Sequence, residues 1–133
     1  MTRRITAGII AVIGAAAMML GTTATAAVAD TRNTSGTTNS IIDWSTGTNQ
    51  YRQTHYGDDF GFDNNSGISI DMRWVKCTDF NVRGATFYDI RPSEGRQVIG
   101  TQFLAGTCLR SQYRGFTSTG SFAGVMHYNA NFA

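Results

Sequence analysis

Residues 68–77 read ISIDMRWVKC and predict the central strand of the domain. Apolar and polar side chains alternate over its first seven positions: the apolar set is Ile68, Ile70, Met72 and Trp74, and the polar set is Ser69, Asp71 and Arg73. Successive side chains of a strand point to opposite faces of the sheet. We therefore expect the apolar set on a core and the polar set in water. The strand ends at Cys77, one of only two cysteines.

Residues 1–29 have the layout of a secretory signal peptide. Arg3 and Arg4 precede an apolar run over residues 5–20, and residues 27–29 form an A-x-A cleavage site. Glycines interrupt the apolar run, which disfavours a membrane span, and an uncleaved anchor is the alternative. We predict a secreted, extracellular protein that has no membrane segment after cleavage. Its mature chain is long enough for one domain.

The charges of the mature chain balance. The whole chain has 11 Lys and Arg residues against 9 Asp and Glu residues, and two of the arginines lie in the signal peptide. A nucleic-acid binder usually carries a basic surplus, so this balance predicts no nucleic-acid partner. Lys and Glu are scarce while Gly, Thr, Ser and Asn are frequent, which favours strands and turns over long helices.

The two cysteines, Cys77 and Cys108, are predicted to form a disulfide, because disulfides persist in the oxidising compartments that exported proteins reach. Closing a loop of about 30 residues stabilises a domain by roughly 3 to 4 kcal/mol. Free or metal-binding thiols are the alternative. No histidine or further cysteine stands at ligand spacing beside either one, so the sequence predicts neither a metal site nor a cofactor.

Residues 30–48, DTRNTSGTTNSIIDWSTGT, predict a flexible arm rich in Ser, Thr and Asn, because they offer little apolar surface to offset the entropy of ordering. Ile41, Ile42 and Trp44 are the exceptions. They have two interpretations: an edge strand of the same domain, or an extended peptide that adds to the sheet or groove of a partner. We predict these three residues as the partner-binding site.

Residues 49–133 predict an all-β domain. Apolar alternation and turn residues divide this part of the chain into about six or seven short strands, with a turn over residues 63–67. Such spacing is typical of a small antiparallel β-sandwich, with a small barrel as the alternative. The predicted fold is therefore a sandwich with one disulfide and a flexible N-terminal arm.

Three functions that depend on particular residues compete with binding through the arm. A secreted ribonuclease would need a general base, a histidine acid and arginines for the phosphate, a set available as Glu94, Arg96, Arg110, Arg114 and His127. A protease inhibitor would present an exposed loop, for which the candidates are 91–96 and 57–67. A calcium site over residues 59–65 lacks the glutamate and glycine of an EF-hand loop.

The sequence favours binding over catalysis. It contains no nucleophile elbow, phosphate loop or dinucleotide fingerprint. Its aromatic residues are interleaved with arginines, and both residue types are enriched at interfaces. We therefore predict a non-enzymatic protein-interaction module whose partner is a secreted or cell-surface protein. A carbohydrate ligand, for which the aromatics would form a platform, is the alternative.

The layout of the whole chain resembles the small secreted accessory proteins of actinobacteria, and among them the adaptor subunits of umbrella toxin particles. The points of similarity are the export signal, the Ser/Thr/Asn-rich segment 30–48, and a compact β domain with the pair Cys77 and Cys108. The resemblance implies a non-enzymatic linker that joins a larger toxin polypeptide to another subunit, with the arm inserted into one partner.

Overall fold

The computed structural model describes residues 29–132, which form ten strands and no helix. Residues 1–28, nearly the whole of the predicted signal peptide, and residue 133 lie outside this range. The strands are β1 (Asp30–Thr38), β2 (Ser45–Thr46), β3 (Tyr51–Arg52), β4 (Asp58–Gly67), β5 (Ile70–Lys76), β6 (Asp79–Arg83), β7 (Phe87–Ile90), β8 (Arg96–Phe103), β9 (Cys108–Gly115) and β10 (Gly120–Ala130). Across residues 29–132, no helix is long and apolar enough to cross a membrane.

The strands form two antiparallel sheets. The four-stranded sheet has the order β1-β10-β4-β8, and the six-stranded sheet has the order β2-β9-β5-β6, with β3 also paired to β9 and β7 to β5. Side chains of both sheets meet in one core. The predicted all-β antiparallel sandwich is confirmed, with ten strands in place of six or seven. Several of the additional strands are only two to four residues long.

The central strand β5 confirms the prediction for its apolar residues. Ile70 and Met72 are fully buried, and Ile68 and Trp74 pack, partly buried, against the same core. The prediction for its polar residues is wrong, because the opposite face is not simply in water. Asp71 is only 3 % exposed. The reason is a second layer of side chains on that face, which contains the candidate site.

The predicted flexible arm is corrected by β1. Its residues Asp30–Thr38 pair along their whole length with β10, from Asp30 opposite Tyr128 to Thr38 opposite Gly120. Most of the strand is exposed and carries no apolar side chain. Main-chain hydrogen bonds along the open edge of β10 supply the order that side-chain burial does not. The sheets therefore begin at Asp30.

The predicted turn over residues 63–67 is also corrected, since these residues complete β4. Ala123 lies opposite Ser66 and Gly124 lies opposite Asn64, so Asn65 is an extra residue in a β-bulge. Asn64 is fully buried, and its Nδ2 donates to the carbonyl oxygens of Ile68 and Ile90. Asparagine side chains often hydrogen-bond to nearby backbone groups within a turn. Here the side chain of Asn64 instead satisfies the backbone carbonyl groups of two other segments.

The predicted disulfide between Cys77 and Cys108 is confirmed. Cys77 follows β5 and Cys108 begins β9, and the backbone nitrogen of Cys77 donates to the carbonyl oxygen of Cys108 at 3.0 Å. The disulfide therefore fixes one end of the central strand pair of the six-stranded sheet.

Candidate functional site

The candidate site lies on the outer face of the six-stranded sheet, turned away from the core. Residues directly opposite each other in an antiparallel pair share a face. The register of β5 with β9 and β6 therefore gathers four arginines here. We call this set the arginine face: Arg73 of β5, Arg83 of β6, and Arg110 and Arg114 of β9.

A buried ion pair lies at one end of the arginine face. The Nε of Arg114 donates to Oδ2 of Asp71 at 3.0 Å, and both side chains are largely buried. The other carboxylate oxygen, Oδ1, accepts a hydrogen bond from the backbone nitrogen of Asp89 at 3.1 Å. Because both oxygens have donors, the carboxylate can stay buried and can fix the orientation of the Arg114 guanidinium.

Arg73 occupies the centre of the arginine face. Its Nε donates to Oε1 of Gln112 at 2.8 Å. Burial, and after it the positive charges of Arg83 and Arg114, lower the pKa of Arg73 from its usual value. The guanidinium is thus oriented by a neutral partner and repelled by two like charges.

Arg110 is held in a similar way at the other end. Its Nε donates to the carbonyl oxygen of Gly47 at 2.8 Å, and its Cζ lies 5.1 Å from the centre of the Phe80 ring. A cation near an aromatic ring is attracted by the electron density of the ring. Both contacts orient this guanidinium without neutralising its charge.

Trp44 packs on the arginine face of its own chain. The centre of its ring lies 4.1 Å from Cζ of Arg73 and 4.5 Å from Cζ of Arg114, and the side chain is half-buried. Two cation–π contacts to one ring hold the indole in place. Trp44 therefore fixes the end of the preceding segment on the sheet.

Residues 40–44, which we call the 40–44 segment, form a fixed bend between β1 and β2. The Oγ of Ser40 accepts hydrogen bonds from the backbone nitrogens of Ile42 and Asp43 at 2.9 and 2.8 Å. The carbonyl oxygen of Ser40 accepts from the backbone nitrogen of Gly115, and that of Ile42 accepts from Nη1 of Arg114. The backbone of this exposed segment is thus tied both to itself and to β9.

The 40–44 segment carries two of the three predicted partner-binding residues on the surface. Ile41 is 46 % exposed and Ile42 is 73 % exposed. They lie in a bend before β2, so the interpretation as an edge strand does not describe them. The third, Trp44, is half-buried against the arginines. The structure thus brings all three to one site, and their contact with a partner stays a prediction.

The residues of the predicted ribonuclease are not brought together. Arg96 and His127 lie on the outer face of the four-stranded sheet, whereas Arg110 and Arg114 lie on the outer face of the other sheet, across the core. Glu94 is exposed, and its Oε1 accepts a backbone hydrogen bond within its own turn. This set of five therefore forms no single site.

The two predicted inhibitor loops have different outcomes. Residues 91–95 form a largely exposed turn between β7 and β8, and Arg96 begins β8. Residues 57–67, in contrast, are mostly strand β4, whose first half is buried. The same strand contains residues 59–65, whose spacing was weighed as a calcium site, and both carboxylate oxygens of Asp59 accept backbone hydrogen bonds. Among residues 29–132, no group of three His, Cys, Asp or Glu side chains is placed to hold a metal ion.

The sequence does not predict the arginine face as a set. The sequence offers Arg110 and Arg114 as phosphate contacts of a ribonuclease and places Arg73 in a polar stripe in water, and it gives no prediction for Arg83. The alternation of Arg110, Gln112 and Arg114 was a visible signal that β9 has a polar face. Only the register of β5 with β9 shows that the polar faces of these two strands lie on the same side of the sheet.

The chain was compared with protein-family models, with curated proteins and with solved structures. None of the three comparisons finds a match. A function for this chain therefore rests on its own residues and their contacts.

Proposed function

We propose that this chain is a secreted, non-enzymatic protein-interaction module that binds its partner through the 40–44 segment. The observation that carries the proposal is the exposure of Ile41 and Ile42 on a backbone held by four hydrogen bonds. Single exposed apolar residues are ordinary on protein surfaces. Two neighbouring isoleucines on a fixed bend form a small apolar contact area.

The fixed backbone supports binding because association costs less entropy when the contact segment is already ordered. Burying an isoleucine side chain contributes about 1.5 to 3 kcal/mol. Two of them can supply a large part of the affinity of a small interface. Trp44 is a positioning residue in this proposal, since its ring is held by Arg73 and Arg114 and in turn holds the segment.

Export is supported by two features. Residues 1–29 have the layout of a signal peptide, and the disulfide between Cys77 and Cys108 is a bond that persists in oxidising compartments. The resemblance to adaptor subunits of umbrella toxin particles makes a larger toxin polypeptide the first partner to test. In that form of the proposal the chain links the toxin polypeptide to a further subunit.

The test is capture of a partner from culture supernatant by tagged protein, with the bound protein identified by mass and then purified for titration. The variant is the double substitution Ile41→Ser and Ile42→Ser. The matched control is Leu104→Ser, since Leu104 is 63 % exposed in the connection between β8 and β9. We expect the double variant to bind about 100-fold more weakly or not at all, and the control to bind as the wild type does.

Two results would contradict the proposal. One is equal capture by the wild type and the double variant, which would place the interface elsewhere. The other is a wild-type protein that captures no partner, which would turn attention to the assays for RNA cleavage and sugar binding.

A further inference from the structure

We infer that the partner of the 40–44 segment presents an acidic polypeptide stretch, whose carboxylates are bound by Arg73, Arg83 and Arg110. This inference rests on the proposed function and adds the chemistry of the partner to it. The 40–44 segment and the arginine face are contiguous, because Arg114 bonds to the carbonyl oxygen of Ile42 and Trp44 packs on two of the arginines.

The first argument is the shortage of negative charge on this face. In the described part of the chain, Asp71 is the one carboxylate within ion-pair distance of any of the four arginines, and its pair is with Arg114. Arg73, Arg83 and Arg110 thus have no acidic neighbour at that distance among residues 29–132. The charges that act on Arg73 are those of two other arginines. A bound carboxylate would relieve this repulsion.

The second argument is unused hydrogen-bonding capacity. A guanidinium has five N–H donors in a planar fork. Arg73 and Arg110 each use only Nε, toward Gln112 and Gly47, and their Nη groups have no acceptor within the described residues. Paired Nη donors of an oriented guanidinium match the two oxygens of a carboxylate.

The third argument is that these guanidiniums are fixed before a ligand arrives. Arg73 is held by Gln112 and the Trp44 ring, and Arg110 by Gly47 and the Phe80 ring. Side chains that are already ordered lose less entropy on binding.

The surroundings favour a polypeptide over a nucleic acid. Nucleic acids offer phosphates to arginines but no pocket for two neighbouring isoleucines, whereas an acidic protein segment can carry carboxylates and apolar side chains together. The balanced charge of the mature chain points the same way, since nucleic-acid binding depends on a large basic surplus.

The test uses the exported protein and two anionic probes, poly-L-glutamate and polyuridylate of equal charge number. Binding is measured at low and at physiological salt, and the Nε–Hε resonances of the arginines are followed by NMR. The main variant is Arg83→Gln, because Arg83 is exposed and its loss should leave folding intact. Arg110→Gln is the second variant, and Arg91→Gln, which changes an exposed turn arginine paired with Asp89, is the control.

We expect poly-L-glutamate to bind more tightly than polyuridylate and to shift the resonances of Arg73, Arg83 and Arg110. Each variant of the arginine face should weaken this binding about three- to tenfold, because one charged hydrogen-bonding partner is lost. The control should bind as the wild type does. The same two variants should weaken binding of the partner captured through Ile41 and Ile42.

The outcomes separate this inference from the proposed function. Partner capture that requires the isoleucines, with no effect of Arg83→Gln or Arg110→Gln, overturns the inference and leaves the proposed function standing. Binding of poly-L-glutamate that depends on the arginines, with capture indifferent to the isoleucines, overturns the proposed role of the 40–44 segment and leaves the arginine face as a site for acidic polypeptide. Equal or tighter binding of polyuridylate overturns the inference in favour of a nucleic-acid ligand.

Discussion

The two outer faces of the sandwich both contain arginine–aromatic contacts, and they differ in what those contacts hold. On the six-stranded sheet, Arg73 and Arg114 hold Trp44 and with it an internal segment that projects two isoleucines. On the four-stranded sheet, Cζ of Arg96 lies 4.1 Å from the centre of the Phe132 ring, near the end of the chain. The first contact fixes an internal segment with exposed isoleucines, and the second fixes the residues that follow β10.

The two faces also differ in charge. On the four-stranded sheet, Arg96 lies opposite Asp63 in the register, and His127 lies within the field of both. On the six-stranded sheet, the arginine face has four arginines and, among residues 29–132, one carboxylate at ion-pair distance, that of Asp71, which pairs with Arg114. The two faces thus differ in the number of arginines that have a carboxylate beside them, and positive charge is in surplus on the arginine face. The following substitutions test that difference.

The largest expected effect is that of Asp71→Ala. The substitution removes the buried carboxylate from Arg114 and from the backbone of Asp89, and it leaves the arginine face without negative charge. Breaking a buried ion pair by removing one partner costs about 3 to 5 kcal/mol. We expect a loss of that size in the free energy of unfolding, measured by chemical denaturation.

The matched control is Asp63→Ala on the other face. Asp63 is half-buried, and the structure gives its side chain no ion pair, so its loss should cost less than about 1 kcal/mol. Equal losses for the two variants would show that the faces do not differ in how their charges are held.

The second-largest loss in the free energy of unfolding is expected for the double variant Cys77→Ser with Cys108→Ser. The cross-link closes a loop with a sequence separation of 31 and holds the ends of β5 and β9 together. Its removal should lower the free energy of unfolding by about 3 to 4 kcal/mol in the chain-entropy model. The rate of hydrogen exchange should rise first at the backbone amide of residue 77, which in the wild type donates to the carbonyl oxygen of Cys108. A loss below about 1 kcal/mol would mean that the sheet pairing alone constrains this end.

A smaller effect is expected for Trp44→Ala. The ring contacts two arginines, and each cation–π contact contributes about 0.5 to 1 kcal/mol at a partly exposed site, so the total loss should be about 1 to 2 kcal/mol. The 40–44 segment should loosen, which amide exchange at Ile42 and Asp43 would report. Phe132→Ala, whose ring contacts one arginine, is the control and should leave those two amides protected. Unchanged exchange in Trp44→Ala would show that the hydrogen bonds of Ser40 suffice.

The elements that could be predicted from sequence are those whose order depends on buried side chains. The alternation of Ile70 and Met72 with polar residues identified β5 and its core face, because burial at every second position leaves a mark in the sequence. The pairing of Cys77 with Cys108 followed from the compartment. The isolation of Ile41 and Ile42 in a polar stretch singled them out as candidates, but it left open whether they form an edge strand or contact a partner.

The elements that were missed depend on partners far away in the sequence. Strand β1 is ordered by the backbone of β10, and periodicity reports side chains only. The arginine face exists because Arg73 and Gln112 lie opposite each other, a register that neither strand alone encodes. The same register explains why Asp71 is buried, since its ion pair is with Arg114. Candidate residues could therefore be named one by one, but not as a site.

The smallest expected effect is a pH dependence on the four-stranded face, at His127. Burial lowers the pKa of His127 first, and the charge of Arg96 lowers it further, while Asp63 opposes both. The Nε2 of His127 is buried without a hydrogen-bond partner, and its ring meets that of Phe132 edge-on. The folded protein therefore binds this proton less readily than the unfolded chain does.

Stability should accordingly be highest when His127 is neutral in both states. It should fall as the pH drops below about 6.5, the ordinary value for histidine, and level off below the folded-state pKa. The loss should stay under about 1 kcal/mol, because His127 is only partly buried and the charge of Asp63 offsets part of the effect. Unfolding free energies of the wild type and His127→Gln between pH 5 and 8 give this contribution by difference. A difference that grows in favour of the wild type at low pH would mean that the protonated ring is the form the fold prefers, and that Asp63 outweighs burial and Arg96. In that case the carboxylate of Asp63 would stabilise protonated His127, as the carboxylate of Asp71 stabilises Arg114 on the other face. The two faces would then differ only in how many of their cations have a carboxylate nearby.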